Sequence, residues 1–216
     1  MPESQRFFRQ QMLREREQQP HGAVLWGKCE PEIFAAAKKE FGLVVSEICE
    51  SHGFMHGVSV MLHCQNALKE CIARKVSREN QILIKLAALC HDADDRKFFS
   101  LGSDNLGRIL LACSGGLITE QQSQLVRSMV EAVSCSGNKD SIPEEFAGKE
   151  WFLYPRYSDR LEALGVEGAR RTYVYTKGKG LPFFTAETPR VTSVEELATL
   201  ASPERYENYK GESASM

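Results

Sequence analysis

The sequence predicts an all-α fold built as a helical bundle, and three observations predict it. Apolar residues recur three and four positions apart through most of the chain, the spacing of a helix with one buried face. The stretch Ile82–Cys90 is apolar apart from Lys85, rich in Leu and Ala, and free of strand-like alternation, so it reads as a helix buried nearly all round. No convincing strand and no internal repeat interrupts this pattern.

The elements follow in order. Residues 1–28 are polar and mixed in charge and form a lead-in, frayed or disordered. Pro31 suits the first turn of a helix carrying Ile33, Phe34, Ala37, Phe41, Val44, Val45 and Ile48, which stops before His52-Gly53. A second helix is expected from about Phe54 to Val76, with Val58, Met61, Leu62, Leu68 and Ile72 on one face. Gly53 leaves open whether His52 shares that helix with His56 or belongs to the turn before it. The buried helix runs from about Ser77 to Cys90. Leu106, Ile109 and Leu110 mark a short helix over Asp104–Cys113, ended by the Gly115-Gly116 break. Thr119 and Gln122 form a capping box ahead of Leu125, Val126, Met129, Val130 and Val133. Ser134–Pro143 is a loop by composition. Glu150–Leu164 is helical, with Pro155 either at its start or kinking it. Gly165 stops it, a further helix spans about Val166–Tyr175, Lys177–Gly180 is a basic turn, and Ser193 with Glu196 caps a last short helix.

Composition bounds the function. The 216 residues suffice for a sizeable core, and a net charge of −2 offers no basic surface for a nucleic-acid polymer or a membrane. Seven cysteines at irregular spacing, with no CxxC pair, suit reduced thiols in a cytoplasmic protein better than a disulfide framework. No signal peptide and no run long enough for a bilayer span is evident.

The buried helix runs into His91-Asp92-Ala-Asp-Asp95-Arg-Lys97. Ending so apolar a segment in an imidazole beside a carboxylate is costly unless something compensates, and a divalent metal would. The surroundings sharpen this. Ser51-His52-Gly53-Phe54-Met55-His56 reads HGxxH, His91–Phe99 reads HDxDDxKxF, and Pro155–Gly165 reads PRxxDRLEAxG. The order His, His-Asp, distant Asp resembles the HD-domain metal-dependent phosphohydrolases. In finer detail it is similar to uncharacterised HD proteins related to bacterial nucleotide pyrophosphatases. The likeness spans roughly residues 30–215.

That resemblance implies a single HD-domain helical core over 29–180 and a C-terminal extension over 181–216, shortened where relatives continue into another helix. It favours helix for Thr172–Thr176, whose own propensity is for strand. It implies one divalent cation (Mn, Fe, Co, Ni or Mg) held by His56, His91, Asp92 and Asp159, with positions left for water and substrate. Such an ion would activate water and polarise a phosphoryl oxygen. The resemblance gives Asp95 the acid/base or water-orienting role, with Asp94 as the alternative. Phosphate oxygens need cations or N–H donors, for which Lys97, Arg160 and His52 are the candidates. Arg156, Arg170 and Arg171 are weaker, and Trp151, Phe152 and Tyr154 are either core or a base-stacking surface. The expected activity is hydrolysis of a small phosphate ester, a nucleoside di- or triphosphate above others. The expected partner is that small molecule alone, with a homodimer left open. The alternative is a silent HD module that senses a metal or nucleotide.

Overall fold

The structure is a computed structural model that describes residues 26–72, 76–114, 118–134, 141–186 and 188–200. The lead-in before residue 26, the Gly115-Gly116 break, most of the 134–143 loop and the tail beyond Leu200 lie outside these residues. Among the described residues there are eight α-helices and no strand, so the fold is all-α. None of these helices is long and apolar enough to cross a membrane.

The chain divides at Lys179/Gly180 into two units. The first holds α1 (Trp26–Val44), α2 (Phe54–Ala67), α3 (Arg78–Leu89), α4 (Asn105–Ser114), α5 (Glu120–Val133), α6 (Tyr154–Glu162) and α7 (Gly165–Gly178). The central helix is α3, which packs against α1, α2, α5 and α6. Its residues Ile82–Leu89 are all buried, and every one but Lys85 is fully so. At about 1.5–3 kcal/mol for each large side chain removed from water, this helix contributes more apolar burial per turn than any amphipathic neighbour can. Lys85 is tolerated because its ammonium meets the Glu30 carboxylate and lies 4.9 Å over the Phe34 ring. Ser77 starts α3 by accepting the Asn80 N–H at 3.2 Å. Thr119 and Gln122 make the full capping box at the head of α5.

Several boundaries differ from the sequence-based expectation. The first helix begins at Trp26, which puts Pro31 inside it instead of in its first turn. The missing N–H then costs one hydrogen bond near an end, where the loss is cheapest. The second helix is regular only to Ala67; Leu68–Ile72 is a wider π turn. Pro155 divides the expected 150–164 helix: Glu150–Leu153 is a 3₁₀ turn, and α6 starts at Tyr154 with Pro155 in its first turn. The 172–176 segment is helical, and α7 extends through Lys177 and Gly178, so the basic turn is shorter than expected. His52 lies in the turn before α2, whose N-cap is Gly53.

The second unit contains α8 (Val194–Leu200) among its described residues. Ser193 Oγ accepts the Glu196 N–H at 3.1 Å, while the Glu196 carboxylate reaches back to the N–H of Thr192 at 2.8 Å.

Candidate metal centre

Three helices that pack on one another, α2, α3 and α6, each bring a polar group to one point. His56 is in the first turn of α2. His91 and Asp92 follow Cys90, whose φ of −105° and ψ of 13° leave the α-helical path and turn the chain at the end of α3. Asp159 lies midway along α6.

The His56 Nε2 stands 3.2 Å from His91 Nε2 and 3.1 Å from Asp159 Oδ1. His91 Nε2 is 3.6 Å from the same Asp159 oxygen. The Oδ2 of Asp92 is 3.7 Å from His56 Nε2 and 3.4 Å from His91 Nε2. The His91 Nδ1 is 2.9 Å from the Ala88 carbonyl, which can only accept. That bond fixes the neutral tautomer, so the Nε2 lone pair of neutral His91 faces the cluster. Asp92 Oδ2 and His56 Nδ1 are buried without a hydrogen-bond partner. Side-chain exposure is 2 % for His56, 3 % for His91, 11 % for Asp92 and 30 % for Asp159, so the cluster opens to solvent on the Asp159 side.

Electrostatics match this crowding. Burial tends to raise the Asp159 carboxyl, but the hydrogen bond from His56 and the nearby His91 imidazole overcome it and hold the group well below the usual carboxylate range. Burial lowers His56, reinforced by the neighbouring His91. Burial also works against a charged His91, yet Asp92 and Asp159 outweigh it and lift that imidazole to about 9.

The donor set fits a small divalent ion. Two ligands, each about 2.1 Å from one ion and set at right angles or tetrahedrally, stand about 3.0–3.4 Å apart. Among His56, His91 and Asp159 the separations run from 3.1 to 3.6 Å, whereas Asp92 Oδ2 approaches the two imidazoles at 3.7 and 3.4 Å and stands outside the set in which every donor lies near every other. His56, His91 and Asp159, two buried and one half-buried, form a group that can hold a metal ion, though their identity does not choose which metal.

The other expected site residues divide. Asp95 and Lys97 pair with each other: the Lys97 N–H donates to Asp95 Oδ1 at 2.9 Å and its ammonium lies 3.4 Å from Oδ2. Asp94, the alternative to Asp95, has a structural task. Its two carboxylate oxygens accept the N–H groups of Asn105 and Leu106 at 2.8 and 3.0 Å, at the head of α4. Arg160 follows Asp159 on α6 and is half-buried. His52 sits beside the cluster, its ring centroid 6.2 Å from that of His56. Burial holds its imidazole down at about 4, with Lys97 and Arg171 adding to the effect against the pull of Asp92. Buried Arg156 is structural, donating to the carbonyls of Ala132 and Ser141, and Phe152 is core.

Around His52 lies a rim of aromatic and cationic groups, of which sequence reasoning named only Arg171, as a weaker candidate, and missed Phe98, Tyr175 and Lys179. Phe98 and Tyr175 lie 5.1 and 5.5 Å from its ring. The Lys179 ammonium stands 5.9 Å from Phe98 and 6.0 Å from Tyr175. Arg171 donates from Nε to the Ser51 carbonyl at 2.7 Å, which brings a guanidinium from α7 to the base of α2. The available signal was the dense run of Arg, Tyr and Lys in 170–179, which spacing alone does not aim at α2.

Fold and site together define a protein all-α in its described residues, with a His-His-Asp group at the end of its central helix able to hold a metal. No protein-family model matches the chain. It is 30% identical over 174 residues to the uncharacterized protein L803 of Acanthamoeba polyphaga mimivirus, covering 74% of this chain and 67% of that one. The chain belongs to the family of that viral protein. A crystal structure of a Lactobacillus plantarum protein, a structural-genomics target, superposes with a TM-score of 0.55 at 17% identity, over 79% of this chain and 74% of the other. That likeness is one of fold.

Proposed function

We propose that the protein is a metal-dependent phosphohydrolase of the HD type acting on a nucleoside di- or triphosphate. The observation that carries this reading is the group of His56, His91 and Asp159 donor atoms 3.1–3.6 Å apart, with both imidazoles buried and the carboxylate half-buried. In this reading Asp92 is the fourth ligand beside His56, His91 and Asp159, which gives its orphaned Oδ2 a partner. A dication bound there would supply an activated water and neutralise charge building on the phosphoryl oxygens.

The remaining work falls to the chain itself. Asp95, braced by Lys97, orients the attacking water or moves its proton. Lys97 and Arg160, with Arg171 and Lys179 on the rim, hold non-reacting phosphate oxygens. His52 is neutral at pH 7. The Cys49 Sγ lies 2.7 Å from Ser51 Oγ, which lies 2.8 Å from His52 Nδ1. With the thiol donating to the hydroxyl and the hydroxyl to Nδ1, the proton of the neutral ring sits on Nε2, ready to donate to a phosphate oxygen.

The test is a panel of nucleoside mono-, di- and triphosphates, sugar phosphates and an aryl phosphate, each with Mn²⁺, Co²⁺, Ni²⁺ and Mg²⁺. Turnover of the di- and triphosphates is expected. Asp92→Ala is expected to abolish metal uptake, and Asp95→Asn to keep the metal while turnover falls about a hundredfold. Turnover of monophosphates alone would reassign the substrate. A folded, metal-loaded protein inert to the whole panel would overturn the enzymatic reading.

A further inference from the structure

His56 has two edges, and α6 addresses both. Asp159 and Glu162 are three residues apart, one turn along the same face of that helix. Asp159 Oδ1 lies 3.1 Å from His56 Nε2, while Glu162 Oε2 lies 4.0 Å from His56 Nδ1. Two carboxylates of one helix thus clasp a single buried imidazole. The other oxygen of Glu162 is already engaged: His63 Nε2 sits 2.8 Å from its Oε1. His63 is two turns beyond His56 on α2, so the α2 face that presents the first imidazole also supplies the brace for its neighbour.

We propose that Glu162 is a positioning residue for the metal centre, backing His56 through Nδ1 and itself held by His63. The inference rests on the metal reading above. An imidazole that ligates through Nε2 carries its proton on Nδ1, and a buried N–H needs an acceptor. For His91 the acceptor is the Ala88 carbonyl at 2.9 Å. The His56 Nδ1 is buried without a hydrogen-bond partner, and Glu162 is the carboxylate facing it. A closure of about 1 Å brings the pair to ordinary hydrogen-bond length. The Glu162 side chain is only 11 % exposed, so water competes little for its oxygens, whereas His63 at 40 % reaches the surface. A carboxylate in this place raises the basicity of His56 and fixes its ring plane, which a neutral acceptor does less well.

The experiment is a competitive Co²⁺ titration of the full chain, with the visible Co²⁺ absorption band as a second readout. Wild type is expected to bind one Co²⁺. Glu162→Gln should weaken binding about tenfold and shift the band, and Glu162→Leu up to about a hundredfold. His63→Ala should cost a few-fold on its own and add nothing to Glu162→Leu, as coupled members of one chain require. The thermal midpoint of metal-free Glu162→Gln should stay at the wild-type value, which separates positioning from a general packing role. Wild-type affinity and an unmoved band in Glu162→Gln, with wild type binding Co²⁺, would overturn the role of Glu162 alone. Failure of wild type to take up Co²⁺ would overturn the metal reading and this inference with it.

Discussion

Gly57 follows His56 in the first turn of α2, where that helix passes over the end of α3. A methyl group there would sit 2.5 Å from the Leu89 carbonyl oxygen and 2.5 Å from Cε1 of Phe41. Ordinary contacts begin near 3.4 Å, so Gly57→Ala requires about 1 Å of give. Neither neighbour yields cheaply. Leu89 O is backbone at the end of the most buried helix, and Phe41 is fully buried in the core. The helices must therefore part. Two terms of opposite sign compete. Alanine in a helix gains about 1 kcal/mol over glycine, while overpacking a filled core costs about 1–3 kcal/mol. The clash wins, and a net loss of about 1–2 kcal/mol lowers the thermal midpoint by a few degrees. The functional loss is larger. The His56–His91 nitrogen separation of 3.2 Å lies immediately beside the clash, and about 1 Å of misplacement costs about a hundredfold in activity. The assay pairs thermal denaturation of the metal-free protein with Co²⁺ titration and turnover. Gly178→Ala, near the end of α7 with nothing within 4 Å of the new methyl, is the control expected to be neutral or slightly stabilising. A Gly57→Ala protein as stable as wild type and with wild-type Co²⁺ affinity would refute the reasoning.

Three further outcomes follow from the same geometry. His52, held down at about 4 in the fold against an ordinary 6.5, binds its proton less well folded than unfolded. Its contribution to stability is therefore full above pH 6.5 and is lost as pH falls towards 4. His91, lifted to about 9, does the reverse: in the metal-free protein its contribution is full below pH 6.5 and fades as pH rises through 9. Urea midpoints from pH 4 to 9 should fall at both ends. His52→Gln should flatten the acid limb alone, and an unchanged acid limb in that variant would sink the assignment. Because a bound metal needs neutral His91, apparent Co²⁺ affinity should climb by up to about tenfold per pH unit over the upper limb; a flat profile would count against His91 as a ligand. Asp94→Ala removes the acceptor of two N–H groups at the head of α4 and should cost about 1–2 kcal/mol in thermal unfolding. It should leave Co²⁺ binding intact, and lost binding would move Asp94 into the site.

The central helix was legible because burial on all sides leaves a sequence mark that one-sided burial does not: Ile82–Cys90 is apolar but for Lys85, with no polar face. Capping residues were equally direct, since Thr119 and Ser193 act through hydrogen bonds three residues long. The prolines were less so. Whether a proline opens a helix or is carried inside one depends on how many turns precede it, and the residues before Pro31 gave no apolar period to count. Thr172–Thr176 shows how far propensity yields to context. β-Branched and aromatic side chains favour strand, yet α7 packs against α6 as a helix and buries Thr176, whose hydroxyl returns a hydrogen bond to the Thr172 carbonyl.

The acidic run after α3 shows where reading by spacing stops. Asp92, Asp94 and Asp95 are chemically alike and lie within four positions, so composition offers three candidates for one task. The turns that follow Cys90 separate them. Ala93 bonds back to Cys90 and Asp95 to Asp92, which rotates successive side chains out of the helical register. Asp92 stays buried against the imidazoles, Asp94 turns to the head of α4, and Asp95 meets Lys97. No periodicity distinguishes these fates, because the turns are set by where α4 must begin. Glu162 is the complementary case. Its offset of three from Asp159 was plain, but a carboxylate one turn away matters only when a second helix lies alongside. That neighbour is α2, which Gly57 lets approach the end of α3. The residue that admits close packing and the residue that backs the imidazole are thus linked. Loosening the first should weaken the second, so Gly57→Ala and Glu162→Leu together should cost less Co²⁺ affinity than the sum of their separate losses.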